Sequence, residues 1–364
     1  MMRYIISHFR KLDWLLILSA VLLTGIGLLS IYSSSLGRGD FLNFKKQVTF
    51  LGIGLILMFL VSVFDWRLFR DNSYLILFLY FVCLFALAGL FFFAPQIRGI
   101  KGWYKLGFLS FDPIELTKIV LIILLAKYYS MRHIQVYRIA NIFFSGLYVL
   151  VPAALIFFQP DLGSALILIA LWVGILLISG IKLRYFLILV LCGLLLSVLS
   201  WSFLLKDYQQ ERIMSFITPQ TDPLGANWSQ NQAKIAIGSG GIFGQGIGKG
   251  SQTRNGFLSE PQTDFIFAAV AEEAGLMGVS VIFLLFAVLI WRVIRIAVLS
   301  TSNFSRLFAS GFVIVMVAQV FIHVGMNIGI LPVIGIPLAL VSYGGSGLVF
   351  TYIGLGILQS MKIH

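Results

Sequence analysis

Long apolar runs alternate with short polar connections along almost the whole chain. A membrane-crossing helix needs about 20 apolar residues to traverse about 30 Å of hydrocarbon. Runs of this kind recur near residues 14–32, 47–64, 73–93, 114–130, 139–158, 162–180, 184–204, 263–291, 307–329 and 343–361. The pattern predicts an all-α, polytopic integral membrane protein of about ten transmembrane helices, with residues 1–364 forming a single membrane domain. The fourth run is short and opens with charges. The fifth contains Pro152, which neighbouring helices can accommodate by re-satisfying the freed backbone groups. The first run follows Arg3, Arg10 and Lys11, yet it is too long for a signal peptide and lacks a small-residue cleavage site, so it reads as a span.

Polar residues then orient the pattern. Ten spans put both termini on one side. With the N-terminus inside, the inner connections carry fourteen Lys and Arg, against six in the short outer loops (Arg38, Lys45, Lys46, Arg98, Lys101 and Lys105). The positive-inside rule therefore predicts N-in, C-in. Among the acidic residues only Asp13, Asp65 and Asp71 fall inside, so carboxylates with a task concentrate on the outer face. Between spans seven and eight lies one large outer loop, residues 205–262, and a connection that long is usually functional. It predicts a short amphipathic helix near Pro223–Ile237, with Trp228 and Ile235 as its apolar contacts. Seven glycines follow between Gly238 and Gly250. They read either as a flexible surface loop or as backbone that approaches a ligand and cradles phosphate, with Lys249 adding charge.

Composition agrees. The 364 residues are 59% hydrophobic and 11% charged, where a soluble domain carries about 25% charged residues. The net charge of +12 is scattered through connections rather than clustered on one element, which excludes a nucleic-acid surface. Two cysteines and four dispersed histidines form neither a disulfide framework nor a metal-ligand spacing.

Charges inside apolar runs cost about 2.5–3.5 kcal/mol each on insertion scales, so they mark candidate chemistry. Phe111–Lys118 reads F-D-P-I-E-L-T-K. Pro113 suits a helix start, and Glu115 and Lys118, three apart, meet on one face. They form either an intrahelical ion pair or a charged pair lining a cavity. Asp161 follows Pro160 and is either a helix N-cap or a further cavity carboxylate. In Phe257–Gly275, Pro261 reads as a helix start, Glu260 and Asp264 lie one turn apart, and Glu272 and Glu273 lie deeper as buried, hydrogen-bonded groups. Asp264, at the water–lipid boundary, stands where a general base acting on a lipid-attached substrate belongs.

At these residues the chain resembles the shape, elongation, division and sporulation (SEDS) family. The resemblance rests on F-L-S-E-P-Q-T-D-F-I-F-A with A-E-E-A-G (Phe257–Ala268, Ala271–Gly275), Q-P-D-L-G (Gln159–Gly163), and G-I-L-P-V-I-G-I-P-L with V-S-Y-G-G-S (Gly329–Leu338, Val341–Ser346). It implies peptidoglycan glycosyltransferase activity on lipid II at the outer face of the bacterial cytoplasmic membrane, with a class B penicillin-binding protein as partner. The family's essential aspartate falls on Asp264, and Glu260, Glu115, Lys118 and Asp161 match further positions it needs or retains. The chain departs from the family at Asp112-Pro113-Ile114-Glu115, where Gln-Pro-Ser-Glu is usual, and before Trp103, where an arginine is common. Arg98 and Lys101 are therefore further candidate substrate contacts. Inverting attack on an undecaprenyl-pyrophosphate donor needs a base, Asp264, and positive charge on the leaving group, from Lys118 with Arg98, Lys101, Lys249 or a divalent cation (Mg or Mn). The sequence requires no cofactor. A lipid flippase and a non-catalytic scaffold are the readings from other functional classes.

Overall fold

The computed structural model describes residues 8–95, 102–106, 109–132, 139–203, 205, 207–218 and 227–363. Arg98 and Lys101 lie outside the described residues, as does the start of the expected loop helix.

The first six apolar runs fold as α1 (Trp14–Arg38), α2 (Leu42–Val63), α4 (Ser73–Phe93), α5 (Pro113–Ser130), α6 (Ile139–Phe158) and α7 (Leu162–Ile178), with a short α3 (Arg67–Asp71) between α2 and α4. A hairpin, β1 (Tyr104–Leu106) and β2 (Leu109–Phe111), precedes α5. Then come α8 (Leu183–Phe203), three loop helices α9 (Asp207–Ile217), α10 (Trp228–Gly240) and α11 (Ser251–Arg254), and finally α12 (Ile266–Leu299), α13 (Asn303–Ile328) and α14 (Gly345–Ile363). Eight of the described helices are long and apolar enough to cross a membrane. The other two expected spans are helices as well: α7 is a shorter apolar helix of 17 residues, and α5 carries Glu115, Lys118 and Lys127. The protein is an all-α, multi-pass membrane protein, with one two-stranded hairpin among the described residues.

Helix α5 explains its own odd sequence. It packs against α4, α6, α7, α13 and α14, and thirteen of its 18 residues are buried. Its charges face protein rather than lipid, which removes most of the cost of placing them at membrane depth. By contrast, α8 has no buried residue. Phe78, Phe85, Phe92 and Phe93 also point outward, as expected where lipid is the solvent for the outer surface.

Several helices outrun their apolar stretches. Helix α1 continues through Ser33, Ser34 and Ser35, all buried, because the rest of the protein supplies their partners. Gln262 Nε2 donates to Ser34 Oγ at 3.0 Å. The hairpin is seated by Tyr104, whose hydroxyl donates to the Ala86 carbonyl at 2.6 Å. The contact is possible because a Cβ on Gly89 would lie 2.4 Å from that hydroxyl.

Two local expectations are corrected. Pro261 does not start a helix. Residues 261–265 form turns and α12 begins at Ile266 with Phe265 as its N-cap, because the Thr263 and Phe265 N–H groups both donate to the Glu260 carbonyl, at 3.2 Å each. On α10 the packed face is not Trp228 and Ile235, which are exposed, but Gln230, Gln232, Ala233 and Ala236. Small side chains let α10 lie against Ala268 and Ala269 of α12, and the two larger residues turn outward.

Candidate active site

Four helix N-termini converge at one end of the molecule. At the start of α5 the Asp112 N–H donates to Ser346 Oγ of α14 at 2.9 Å. A Cβ on Gly347 would lie 3.5 Å from the Glu115 carboxyl carbon. The Tyr343 N–H donates to the Gln262 carbonyl, just before α12, at 2.8 Å. Ile334 and Ile336 pack on Gly163 at the start of α7, close enough that a Cβ there would lie 2.6 Å from Ile336 Cγ1. Positive dipole ends and free N–H groups thus gather where the acidic residues of α5, α7 and the α12 approach also gather.

Around the N-termini of α5 and α7 the carboxylates serve local structure first. Asp112 caps α5, accepting from the Ile114 N–H at 2.9 Å. Asp161 caps α7, accepting from the Ser164 N–H at 3.0 Å and the Ser164 hydroxyl at 2.7 Å. Lys118 Nζ meets Glu115 Oε1 at 2.7 Å, with side chains 5% and 14% exposed, so the three-residue spacing does form an intrahelical ion pair. Burial pushes the Asp112 carboxyl well above the usual range, and the Glu115 charge adds to the shift. Burial likewise raises Asp161, opposed by the Ser164 hydrogen bonds and by Lys118. The four groups therefore share one electrostatic environment. The cavity beside Glu115 and Lys118 measures about 20 Å³, room for roughly one water. Asp112 was not among the residues singled out from sequence. The Asp-Pro pair opening a charged helix was the signal that could have found it.

Asp264 faces a larger space. With Glu260, Ser229, Ser259, Asn227 and Pro332 it lines a cavity of about 310 Å³. Glu260 holds φ +48°, a left-handed conformation that costs a non-glycine residue about 1–2 kcal/mol. The Asp264 backbone is fixed from α13. Asn327 is fully buried; its Nδ2 donates to the Asp264 carbonyl at 3.0 Å and its Oδ1 accepts from the Ala268 N–H at 3.2 Å. An ideal first turn would join that carbonyl and that N–H directly. The asparagine amide stands between them instead and holds Asp264 just ahead of the helix. Ser342 Oγ donates to the Thr263 carbonyl at 2.8 Å, and Gln262 Oε1 accepts from Asn43 Nδ2 at 2.7 Å. Gly335, at φ +80°, turns its bare Cα to the carboxylate: a Cβ there would lie 3.7 Å from Asp264 Oδ2. Since Ile334 and Ile336 pack on Gly163, the non-helical segment after α13 runs between the Asp264 cavity and the Asp161 cap. Asn327, Gln262 and Gly335 were not identified from sequence. Their roles depend on contacts across the fold that no local spacing signals.

The glycine-rich stretch has a different task from cradling phosphate. Helix α12 is broken at Gly275, with φ +63° and ψ −163°, which releases carbonyls before the break and N–H groups after it. Gln245 and Gly246 N–H groups donate to the Glu272 and Glu273 carbonyls at 2.9 and 3.0 Å, and Leu276 and Met277 donate to Gly241 and Ile242 at 2.9 and 3.1 Å. Glycines permit the approach: a Cβ on Gly240 would lie 1.9 Å from the Ala271 carbonyl oxygen, and one on Gly244 2.1 Å from that of Glu273. The Gly248 N–H donates to Ser33 Oγ at 2.9 Å. These donors are committed inside the protein. Lys249 is exposed beside them and is not among the residues lining the Asp264 cavity. Glu272 is fully buried and accepts from the Gln252 and Thr253 N–H groups at 2.6 and 3.0 Å, and from the Thr253 hydroxyl at 2.7 Å. Glu273 accepts from the Ser33 hydroxyl. Both are the hydrogen-bonded packing groups the sequence suggested. Among the described residues no group of three or more His, Cys, Asp or Glu is arranged to hold a metal ion.

Comparison with known proteins places this geometry. Residues 13–364 match the model of the cell cycle protein family that groups FtsW, RodA and SpoVE. The chain belongs to this family. It is 35% identical over 350 residues to the peptidoglycan glycosyltransferase MrdB of Escherichia coli (strain K12), covering 96% of this chain and 92% of that protein. It is 35% identical over 361 residues to the stage V sporulation protein E of Bacillus subtilis (strain 168), covering 96% of each. Among solved structures it resembles a chain of a peptidoglycan synthase complex that coordinates polymerization and crosslinking, with a TM-score of 0.82, 30% identity, and 96% and 97% of the two chains covered. It also resembles the rod shape determining protein RodA of Thermus thermophilus, with a TM-score of 0.72, 29% identity and 96% of both chains covered. Membership of the FtsW, RodA and SpoVE family agrees with the resemblance that the Phe257–Ala268 motif carries.

Proposed function

We propose that this protein is a peptidoglycan glycosyltransferase of cell elongation, polymerising lipid II into β-1,4-linked glycan strands. The observation that carries the reading is Asp264, held by Asn327 ahead of α12 and facing a cavity of about 310 Å³ beside Glu260. In the proposed reaction Asp264 takes the proton of the acceptor sugar 4-hydroxyl as its oxygen attacks the anomeric carbon of the donor. The bond to undecaprenyl pyrophosphate breaks on the opposite side, inverting that carbon. Developing charge on the pyrophosphate meets the converging helix N-termini and the positive potential of Lys118. Arg98, Lys101 and Lys249 are further proposed contacts for the donor. Glu260 and Asp161 are proposed to orient substrate from either side of the segment around Gly335, and Glu115 to hold Lys118 in place.

The orientation proposed with this chemistry is ten spans, N-in and C-in, in the bacterial cytoplasmic membrane, with residues 205–262 and Asp264 on the outer face. The proposed partner is a class B penicillin-binding protein that crosslinks the new strands. The relatives support this reading: MrdB bears a glycosyltransferase name, and a similar chain belongs to a synthase complex that couples polymerization to crosslinking. Glycan products made from purified lipid II by the protein with its partner test it, with Mg, Mn or a chelator as separate arms. Asp264→Asn keeps the backbone contacts and removes the base, so the rate should fall by about 10²–10⁴-fold. Normal polymer from that variant, or translocation of lipid II without polymer from the unaltered protein, would remove the proposal.

A further inference from the structure

A second cavity lies at the opposite end of the molecule. From Phe265 to Arg295 α12 runs on the order of 40 Å at 1.5 Å per residue, so the cavity at its far end is no subsite of the Asp264 cavity. It measures about 430 Å³ and is lined by Asp13, Arg292, Arg295 and Lys362, with Leu299 and Met361 as apolar wall. Arg292, Arg295 and Leu299 fall on one face of α12, three, then four, residues apart.

The charges do not balance. Asp13 is buried, 2% exposed, and already accepts from the Leu16 N–H at 3.2 Å as the cap of α1. Arg292 Nε donates to both of its carboxylate oxygens, at 3.0 Å each. Lys362 Nζ stands 3.4 Å from the same carboxylate. Arg295 has no ion-pair partner among the described residues; its guanidinium lies 5.9 Å from the Trp291 ring centroid, with Arg292 at 5.4 Å from the same ring. Three cations thus line a cavity with a single carboxylate, which Arg292 already holds and Lys362 approaches. A cavity with surplus positive charge and one apolar wall, next to arginines that lie by a tryptophan of the kind enriched at membrane interfaces, matches one ligand chemistry: a phosphate group, presented with or without a lipid.

We infer that the Asp13–Arg292–Arg295–Lys362 cavity binds a phosphate group, with the headgroup of an anionic phospholipid as its natural source. The apolar wall of Leu299 and Met361 would take the first carbons of the lipid, and Arg295 with Lys362 would meet the phosphate oxygens. Under the proposed N-in orientation this face is cytoplasmic, where anionic lipid is abundant. The inference does not depend on the glycosyltransferase chemistry.

The test is thermal unfolding of the purified full-length protein in uncharged detergent, titrated with phosphatidylglycerol, phosphatidylcholine or inorganic phosphate. Arg295 and Lys362 are exposed, so Arg295→Gln and Lys362→Gln should fold. Phosphatidylglycerol should raise the unfolding temperature of the unaltered protein and phosphatidylcholine should not. Each substitution should raise the concentration needed by about fivefold, from the roughly 1 kcal/mol that a basic residue contributes at an anionic surface. Arg184→Gln, which removes an exposed arginine stacked on Tyr185 outside the cavity, should leave it unchanged. Stabilisation by inorganic phosphate alone, lost in the same two variants, would support the phosphate site with a soluble source. Equal stabilisation by both lipids, or an equal loss in Arg184→Gln, would overturn the inference.

Discussion

Replacing Asn327 by alanine isolates how Asp264 is held. The side chain is buried and bridges the Asp264 carbonyl and the Ala268 N–H, at 3.0 and 3.2 Å. Its loss leaves two buried backbone groups unpaired, at about 1–3 kcal/mol each, or roughly 2–6 kcal/mol if the backbone stays in place. The chain has a cheaper response. The two orphaned groups are four residues apart, so closing them onto each other extends α12 backward by one step and recovers most of that energy. The cost is position, because Asp264 is then drawn into the helix and away from its cavity. The expected outcome is a modest loss of stability, about 1–3 kcal/mol, with a fall in kcat on the order of 10²-fold, the scale expected when a reacting group shifts by 1 Å. Because Asn327 contributes no side-chain atom to the cavity wall, KM for the lipid-linked substrate should change far less than kcat. Thermal unfolding in detergent and initial rates of glycan synthesis measure the two effects. A destabilised variant with an unaltered kcat would refute the reasoning and reduce Asn327 to a packing residue.

Two further outcomes follow from the packing of α12 and α1. Gly240→Ala places a Cβ 1.9 Å from the Ala271 carbonyl oxygen, so α10 must move away from α12. A loss of about 1–3 kcal/mol should appear in thermal unfolding, and an unaltered midpoint would show that the loop is not seated there. At the other end, burial pushes the Asp13 carboxyl upward, but the Arg292 hydrogen bond, the Leu16 N–H and the charges of Lys362 and Arg292 outweigh it and leave it below the usual range. Its folded value is depressed, so its contribution is fully present above the ordinary aspartate value of about 3.9 and is lost as pH falls through the lower folded value. Asp13→Asn keeps a capping side chain but leaves Arg292 without its anion, at about 3 kcal/mol at neutral pH. That variant should also lose less stability than the unaltered protein on acidification below about pH 4, read as the unfolding midpoint against pH.

The family is legible in the chain because its motifs are contiguous: E-P-Q-T-D, Q-P-D-L-G and the glycine-proline segment before Tyr343 can be read without knowing what they touch. The glycine-rich stretch shows where such reading stops. Glycine spacing alone does not distinguish backbone that meets a ligand from backbone that meets a broken helix. Only the contact with Glu272 and Glu273 decides it, because the break at Gly275 creates the unpaired carbonyls that the loop then satisfies.

The sequence by itself determined that this protein lives in lipid and that its chain is a series of apolar helices, because hydrocarbon leaves no other partner for the backbone and demands long apolar runs. It also placed the ion pair of Glu115 and Lys118, since three residues on a helix bring two side chains to the same face. The tertiary structure decided which helix is central and which is bathed in lipid: α5, with its three charged residues, is enclosed by α4, α6, α7, α13 and α14, and α8 has no buried residue. It likewise decided that Asp264 waits ahead of its helix rather than inside it. That choice rests on an asparagine some sixty residues away in sequence, whose amide competes with the first hydrogen bond of the helix.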